Sequence, residues 1–336
     1  MNAKPFIIAG PCSAETEKQV LDTAKELSKL EVSVFRAGVW KPRTKPGNFE
    51  GAGTKSLVWL KRVQQEFGMK TAVEVANPQH VALALNAGVD VLWIGARTTT
   101  NPFAVQEIAD ALQGCDVPIL VKNPVTPDVG LWLGAVERLQ NAGIQHITAV
   151  HRGFDTGDAI YRNNPQWHVP IEFRRRVPEI LMLCDPSHIA GQKSLVAKVA
   201  QQAMQLNFNG LMIEVHCCPS KALSDANQQI TPKELAKLLK NLVVNQTNSQ
   251  TEVLTQLRQR IDDLDVSLIE IIAQRMKIVQ EIGHYKKQNS ISVLQSNRYD
   301  EVLQQCINQA INKKLNTDFI KKIFEIIHEE AIKTQL

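Results

Sequence analysis

FIIAGPCSAE, Phe6–Glu15, is the stretch on which the fold turns. It is an apolar, β-rich run that breaks at Gly-Pro and leads directly into Cys12, Ser13, Ala14 and Glu15. An open doubly wound sheet that binds a nucleotide would carry a Gly-rich phosphate fingerprint directly after its first strand, and this stretch has none. A closed barrel makes no such demand; it asks only that chemistry-bearing side chains stand at the carboxyl end of each strand. Cys12 stands there.

Seven similar runs follow: VSVFRAG (Val32–Gly38), KTAVEV (Lys70–Val75), VLWIG (Val91–Gly95), PILVKN (Pro118–Asn123), HITAVHRG (His146–Gly153), LMLCDPS (Leu181–Ser187) and LMIEVH (Leu211–His216). Each gives way to turn residues and then to helical periodicity. Strands alternating with helices form right-handed βαβ units, and a count of eight predicts a closed parallel (β/α)8 barrel of the α/β class.

Polar residues gather where these runs end. In order they are Cys12, then Arg36 leading to Lys41 and Arg43, then Glu74, Arg97, Lys122, His151 with Arg152, Asp185 with His188, and Glu214 with His216. In a barrel all of these reach one rim. Arg36, Lys41, Arg43, Arg97, Lys122 and Arg152 form a cationic set that suits multiply anionic substrates, because guanidinium forks match phosphate and carboxylate. Cys12, His188, Glu214 and the later Asp225 combine soft and hard donors, a set able to hold a divalent transition metal.

The totals are consistent with this. A chain of 336 residues with 44% apolar content has material for a large core and a second small one. Net charge is only +4 and there is no extended lysine or arginine run, so neither nucleic acid nor a membrane surface is expected as a partner. No signal peptide or membrane-length apolar window is evident, which predicts a cytoplasmic protein with its six cysteines reduced.

At VVNQTNSQTE, Val243–Glu252, the apolar pattern stops. This reads as a boundary: a barrel over 1–244, a flexible polar linker over 245–251, and a helical domain over 252–336. Beyond it Leu254, Ile261, Leu268 and Ile282, with Leu257, Leu264, Ile271 and Ile278, repeat by sevens and predict a long amphipathic helix. Arg275 falls in that seam, where it needs a carboxylate or an anionic ligand. Lys286 lies about three turns on, pointing the same way, whereas Arg258 is rotated by roughly 100° and displaced by about 25 Å. One helix cannot bring all three together; a partner helix could. Two shorter helices are expected near 298–313 and 318–335, the last carrying Gln335 on its apolar stripe.

GPCSAE (Gly10–Glu15), FRAGVWKPRT (Phe35–Thr44), IGART (Ile94–Thr98), DPSH (Asp185–His188), EVH (Glu214–His216) and ALSDANQQ (Ala222–Gln229), in this order, resemble the metal-dependent 3-deoxy-D-arabino-heptulosonate 7-phosphate (DAHP) synthases in their short form. The resemblance implies condensation of phosphoenolpyruvate with erythrose 4-phosphate. It implies metal ligation by Cys12, His188, Glu214 and Asp225, with Mn²⁺ expected first and Fe²⁺, Zn²⁺ and Co²⁺ as alternatives. It implies phosphoenolpyruvate on Arg36, Lys41, Arg97, Lys122 and Arg152, and the aldose phosphate on Arg43 and Thr44. The related 3-deoxy-octulosonate 8-phosphate synthases carry an asparagine in place of Arg43, so Arg43 favours the four-carbon aldose. Asn123 and Pro124 depart from the Arg-Gly that many members have after the lysine.

The second part, with Arg258, Arg275, Lys286, Arg298 and Gln335 in this order, is similar to the all-helical chorismate mutases. That resemblance implies an intertwined homodimer in which Arg258 enters the partner's site. It implies a rearrangement of chorismate to prephenate, with the three arginines on the carboxylates and Lys286 and Gln335 on the ether oxygen. Tyr299, Gln295 and Ala331 stand where the family commonly has glutamate, aspartate and serine. The alternative is a helical module that only dimerises and binds prephenate or chorismate to throttle the barrel.

Overall fold

The computed structural model describes residues 4–41, 47–157, 160–244 and 252–336, and the chain divides into two compact units, Met1–Thr247 and Asn248–Leu336. The expected linker 245–251, Arg43 and Thr44 lie outside the described residues.

In the first unit the eight runs form β1 (Phe6–Gly10), β2 (Val34–Arg36), β3 (Lys70–Val75), β4 (Val91–Ile94), β5 (Ile119–Lys122), β6 (Ile147–His151), β7 (Leu181–Cys184) and β8 (Gly210–Glu214). They pair in sequence order, all parallel, and β8 closes onto β1 from Phe6↔Gly210 to Gly10↔Glu214. The expected closed barrel is the fold. Helices cover its outside; many start on strong local signals, such as Asn101 capping before Pro102, and the Thr231–Glu234 capping box around Pro232.

Side chains alternate along each strand, and this splits the core in two. Ile8, Val34, Ala72, Val91, Trp93, Leu120, Val150, Leu183 and Met212 are buried together and fill the barrel. Their strand neighbours, among them Ile7, Phe35, Val73, Ile119, Ala149 and Leu211, pack against the helices in the larger cluster. At about 1.5–3 kcal/mol for each large apolar side chain buried, these two layers supply most of the driving force for the fold. The next inward position, two residues further along each strand, is Gly10, Arg36, Glu74, Gly95, Lys122, Arg152, Asp185 and Glu214. Alternation therefore places six charged side chains in the layer directly above an apolar plug.

The second unit is three helices: Glu252–Gln288, Ser296–Asn312 and Thr317–Gln335. The last packs against both others. Gly283 permits this approach, because a Cβ there would come within 3.0 Å of Gln335 Cγ. Little else is enclosed: Val279, Ala310 and Ala331 are buried, while Leu257, Ile261, Leu264 and Leu268 on the first half of the long helix are about half or more exposed, at 47%, 58%, 68% and 54%.

Candidate active site

The barrel's inward layer and the loops above it enclose a cavity of ≈ 480 Å³, lined among others by Lys41, Glu74, Arg97, Lys122, Arg152, His188 and Asp225. Four of the predicted cations thus share one wall. Arg36 lies deeper, 1% exposed, stacked over the Trp93 ring at 4.9 Å, with Nη2 at 3.2 Å from Glu214 Oε1. Its Nε and Nη1 have no hydrogen-bond partner among the described residues. A buried guanidinium with free donors is costly unless an anion completes it.

Cys12, Glu214 and Asp225 come together with ligand atoms all within 4.8 Å of one another. Cys12 Sγ is 3.4 Å from Asp225 Oδ2. His188 adjoins the group, its Nε2 3.6 Å from Glu214 Oε1 and its Nδ1 2.7 Å from Asp185 Oδ2. The sequence DPSH builds this corner locally. Asp185 caps the short helix Pro186–Ala190 by accepting the His188 backbone N–H, and Pro186 suits its first position. Asp225 takes a left-handed backbone, φ 47, uncommon outside glycine. The Glu214 carboxylate also accepts from Gln228 at 2.6 Å.

Burial, reinforced by Glu214, pushes the Cys12 thiol up to about 12, against the pull of Lys41, whose ammonium donates to Cys12 Sγ at 3.1 Å. Such a thiol ionises only when more positive charge arrives, so the donor set of thiol, two carboxylates and imidazole fits a divalent metal. Burial holds the His188 imidazole below its ordinary value, with Asp185 and Glu214 pulling the other way. Burial would raise Asp185 and Glu214, but His188 and the surrounding cations, Lys122 and Arg36 for Asp185 and Arg36 for Glu214, outweigh it and keep both low. Lys122 is lowered by burial, the nearby Asp185 opposing, and Arg152 is brought down to about 10 by burial and the neighbouring arginines 162 and 97.

Two rim residues do not join the site. His151 follows the inward Val150, so alternation turns it outward into a cage of Trp132, Phe154, Trp167 and Phe208. His216 turns toward Glu15, 3.7 Å away. Asn123 explains its own departure from the family pattern. It accepts the Arg152 backbone N–H at 2.7 Å and donates to Gly153 O at 2.9 Å, tying the ends of β5 and β6 together and setting Arg152. Sequence reading missed Arg162, which reaches from the loop after β6 to Asp225 Oδ2 at 3.3 Å and donates to Gln228 at 2.6 Å.

Residues 1–252 match the family described as the DAHP synthetase I family. The chain belongs to that family. Residues 257–336 match chorismate mutase type II. A transferase family and an isomerase family are thus fused in one chain. The phospho-2-dehydro-3-deoxyheptonate aldolase of Thermotoga maritima is 34% identical over 240 residues, covering 70% of this chain and 69% of that protein. The 2-dehydro-3-deoxyphosphooctonate aldolase of Albidiferax ferrireducens is 25% identical over 266 residues, covering 72% and 90%. The crystal structure of the Thermotoga maritima DAHP synthase superposes with a TM-score of 0.64 at 30% identity, over 70% of this chain and 67% of that one.

In the chorismate mutase type II unit, Arg275 Nη1, His328 Nε2 and Gln335 Oε1 are buried polar atoms with no hydrogen-bond partner among the described residues. Gln335 spends one amide N–H on Ala331 O at 3.1 Å. Lys286 donates to Val293 O at 2.8 Å and borders a hollow of ≈ 500 Å³ with Ile282, Tyr285, Ile291 and Gln295. Arg298 is exposed and bridges to Glu301 at 3.1 Å. Arg258 is exposed, and because Glu252–Gln288 is one continuous helix it stands about 25 Å from Arg275. No described helix is long and apolar enough to cross a membrane.

Proposed function

We propose that the barrel, over 1–244, condenses phosphoenolpyruvate with D-erythrose 4-phosphate to DAHP and inorganic phosphate, and that the helical domain, 252–336, converts chorismate to prephenate. In this reading 245–251 is a linker and the enzyme works in the cytoplasm on aromatic amino-acid synthesis. The observation that carries the barrel assignment is Arg36, buried with two free donors beside the three-donor cluster of Cys12, Glu214 and Asp225.

Those three residues and His188 would hold a divalent ion, Mn²⁺ first, which when bound supplies Lewis-acid polarisation of the aldehyde. Lys41, facing Cys12 Sγ, supports the thiolate that ligation needs. Arg36, Arg97, Lys122 and Arg152 grip the carboxylate and phosphate of phosphoenolpyruvate, with Lys41 beside them. Arg43 and Thr44 take the aldose phosphate. Held so, carbon three of phosphoenolpyruvate forms a bond to the aldehyde carbon, water adds at carbon two, and phosphate leaves. Glu74, in the same layer, is the carboxylate available to accept the water's proton.

The helical reaction is pericyclic and needs no nucleophile. Arg275, Arg298 and the partner's Arg258 hold two carboxylates in the compact conformer, while Lys286 and Gln335 donate to the breaking ether bond. The homodimer this requires is supported by the uncovered apolar stripe of the long helix. We take prephenate to be the signal by which the helical domain restrains the barrel.

Phosphate release from phosphoenolpyruvate tests the barrel: it should need erythrose 4-phosphate and stop with a chelator, and a preference for arabinose 5-phosphate would overturn the assignment. Disappearance of chorismate tests the second domain. Turnover lost in Arg275→Ala with the dimer intact supports catalysis; none in the wild type leaves a purely regulatory module.

A further inference from the structure

His328 belongs to no motif, yet it sits in the middle of the helical unit's polar cluster. Its ring stacks on Tyr299, centroids 4.2 Å apart and planes 37° apart, so the last helix and the middle helix hold each other's side chains in place. Its Nε2 is buried with no hydrogen-bond partner among the described residues, as are Arg275 Nη1 and Gln335 Oε1. Buried polar atoms without partners are costly, so a bound molecule that reaches them would be held by them.

The charges around His328 decide which partner Nε2 wants. Burial, then Arg275 and Lys286 from the long helix, lower its pKa and keep the ring neutral. The middle helix adds Tyr299. Beside two cations, a lone pair is stabilised on Nε2 and an N–H is not. The arginines and Lys286 already provide for negative oxygens, and an imidazole lone pair is of no use to a carboxylate. It is of use to a hydroxyl hydrogen.

We propose that His328, steadied by Tyr299, is a specificity-determining residue of this site that accepts the hydrogen bond of the substrate's ring hydroxyl. The inference rests on the mutase reading above. It assigns to this pair the recognition of a hydroxylated cyclic dicarboxylate over one that lacks the hydroxyl. A histidine lone pair is lost on protonation, whereas an amide oxygen is not.

The test uses the full-length chain, with wild type, His328→Leu, His328→Gln and Tyr299→Leu assayed on chorismate and on its analogue lacking the ring hydroxyl, between pH 5 and 8. Wild-type kcat/KM for chorismate should fall as pH drops below the ordinary histidine range of about 6.5. His328→Leu should lose roughly tenfold on chorismate, the value of one hydrogen bond, and little on the analogue, with a flat pH profile. His328→Gln should recover most of the loss and stay flat. Tyr299→Leu should lose activity on chorismate in the same direction as His328→Leu. Far-UV circular dichroism, and wild-type-like turnover of the analogue that lacks the hydroxyl, check that the helical unit of each variant is folded. Equal losses on both substrates, or a His328→Leu enzyme that keeps wild-type discrimination and pH dependence, overturns the proposal alone. A wild type that does not turn over chorismate removes the mutase reading and this inference with it.

Discussion

The Lys122 ammonium and the Asp185 carboxylate meet 2.7 Å apart in the barrel's inward layer, 6% and 0% exposed at their side chains. Asp185 also caps the helix that carries His188, so one carboxylate links the cationic wall to the cluster of Cys12, Glu214 and Asp225. Breaking a buried pair leaves a charge with no water to turn to. Asp185→Ala should therefore cost about 3–5 kcal/mol in urea unfolding of the barrel and abolish phosphate release. Asp185→Asn keeps the cap and should cost less while still losing activity. Wild-type stability in Asp185→Ala would mean that water already solvates this layer.

Gly95 continues the inward face of β4, and its place beside Glu74 leaves no room for a side chain. A Cβ there would sit 2.0 Å from Glu74 Oε1. Because Glu74 is a flexible chain, Gly95→Ala should fold, with the melting temperature little changed, but swing the carboxylate off its position. Misplacement by about 1 Å can cost on the order of a hundredfold, so synthase kcat/KM should fall by about that much while chorismate turnover is untouched. Full synthase activity in Gly95→Ala would remove Glu74 from the reaction.

Sequence reading reached the barrel and most of its site for one physical reason: parallel strands alternate with helices, and function collects at carboxyl ends. Its overcount at His151 came from treating every polar residue at a strand end alike. The two-residue alternation separates them, since Arg152 shares the inward phase of Val150 and His151 does not. Arg162 left no such trace, because its loop has no periodicity and its partners, Asp225 and Gln228, lie far along the chain. In the helical unit Arg275 was legible as a charge in an apolar seam. His328 was not, because a histidine on a helix declares nothing until its stacking on Tyr299 is seen.

His151 gives the barrel an acid sensitivity of known sign. Burial pushes it down to about 3, while the unfolded chain keeps the ordinary value near 6.5. Between these values the unfolded state binds the extra proton, so stability is complete above pH 6.5 and is lost as pH falls toward 3. At pH 4.5 the loss amounts to about 3 kcal/mol. His151→Phe keeps the aromatic cage filled and cannot protonate. Urea unfolding at pH 7.5 and 4.5 should show the variant losing less stability on acidification by about that amount; parallel losses in both proteins would contradict it.

Arg258 and Arg275 lie on one unbroken helix, too far apart to serve one site within a chain. If each site takes Arg275 from one subunit and Arg258 from its partner, Arg258→Ala and Arg275→Ala are each inactive as homodimers, yet their defects fall on different subunits of a mixed dimer. One of its two sites then has both arginines. Mixing the two inactive variants under conditions that allow subunit exchange should restore roughly a quarter of the wild-type mutase activity, since random pairing makes half the dimers mixed and half their sites whole. A Leu264→Lys change, charging a position 68% exposed on the uncovered stripe, should prevent the rescue by weakening the dimer. Activity that stays absent on mixing, with exchange verified by mass, would show that Arg258 serves no shared site.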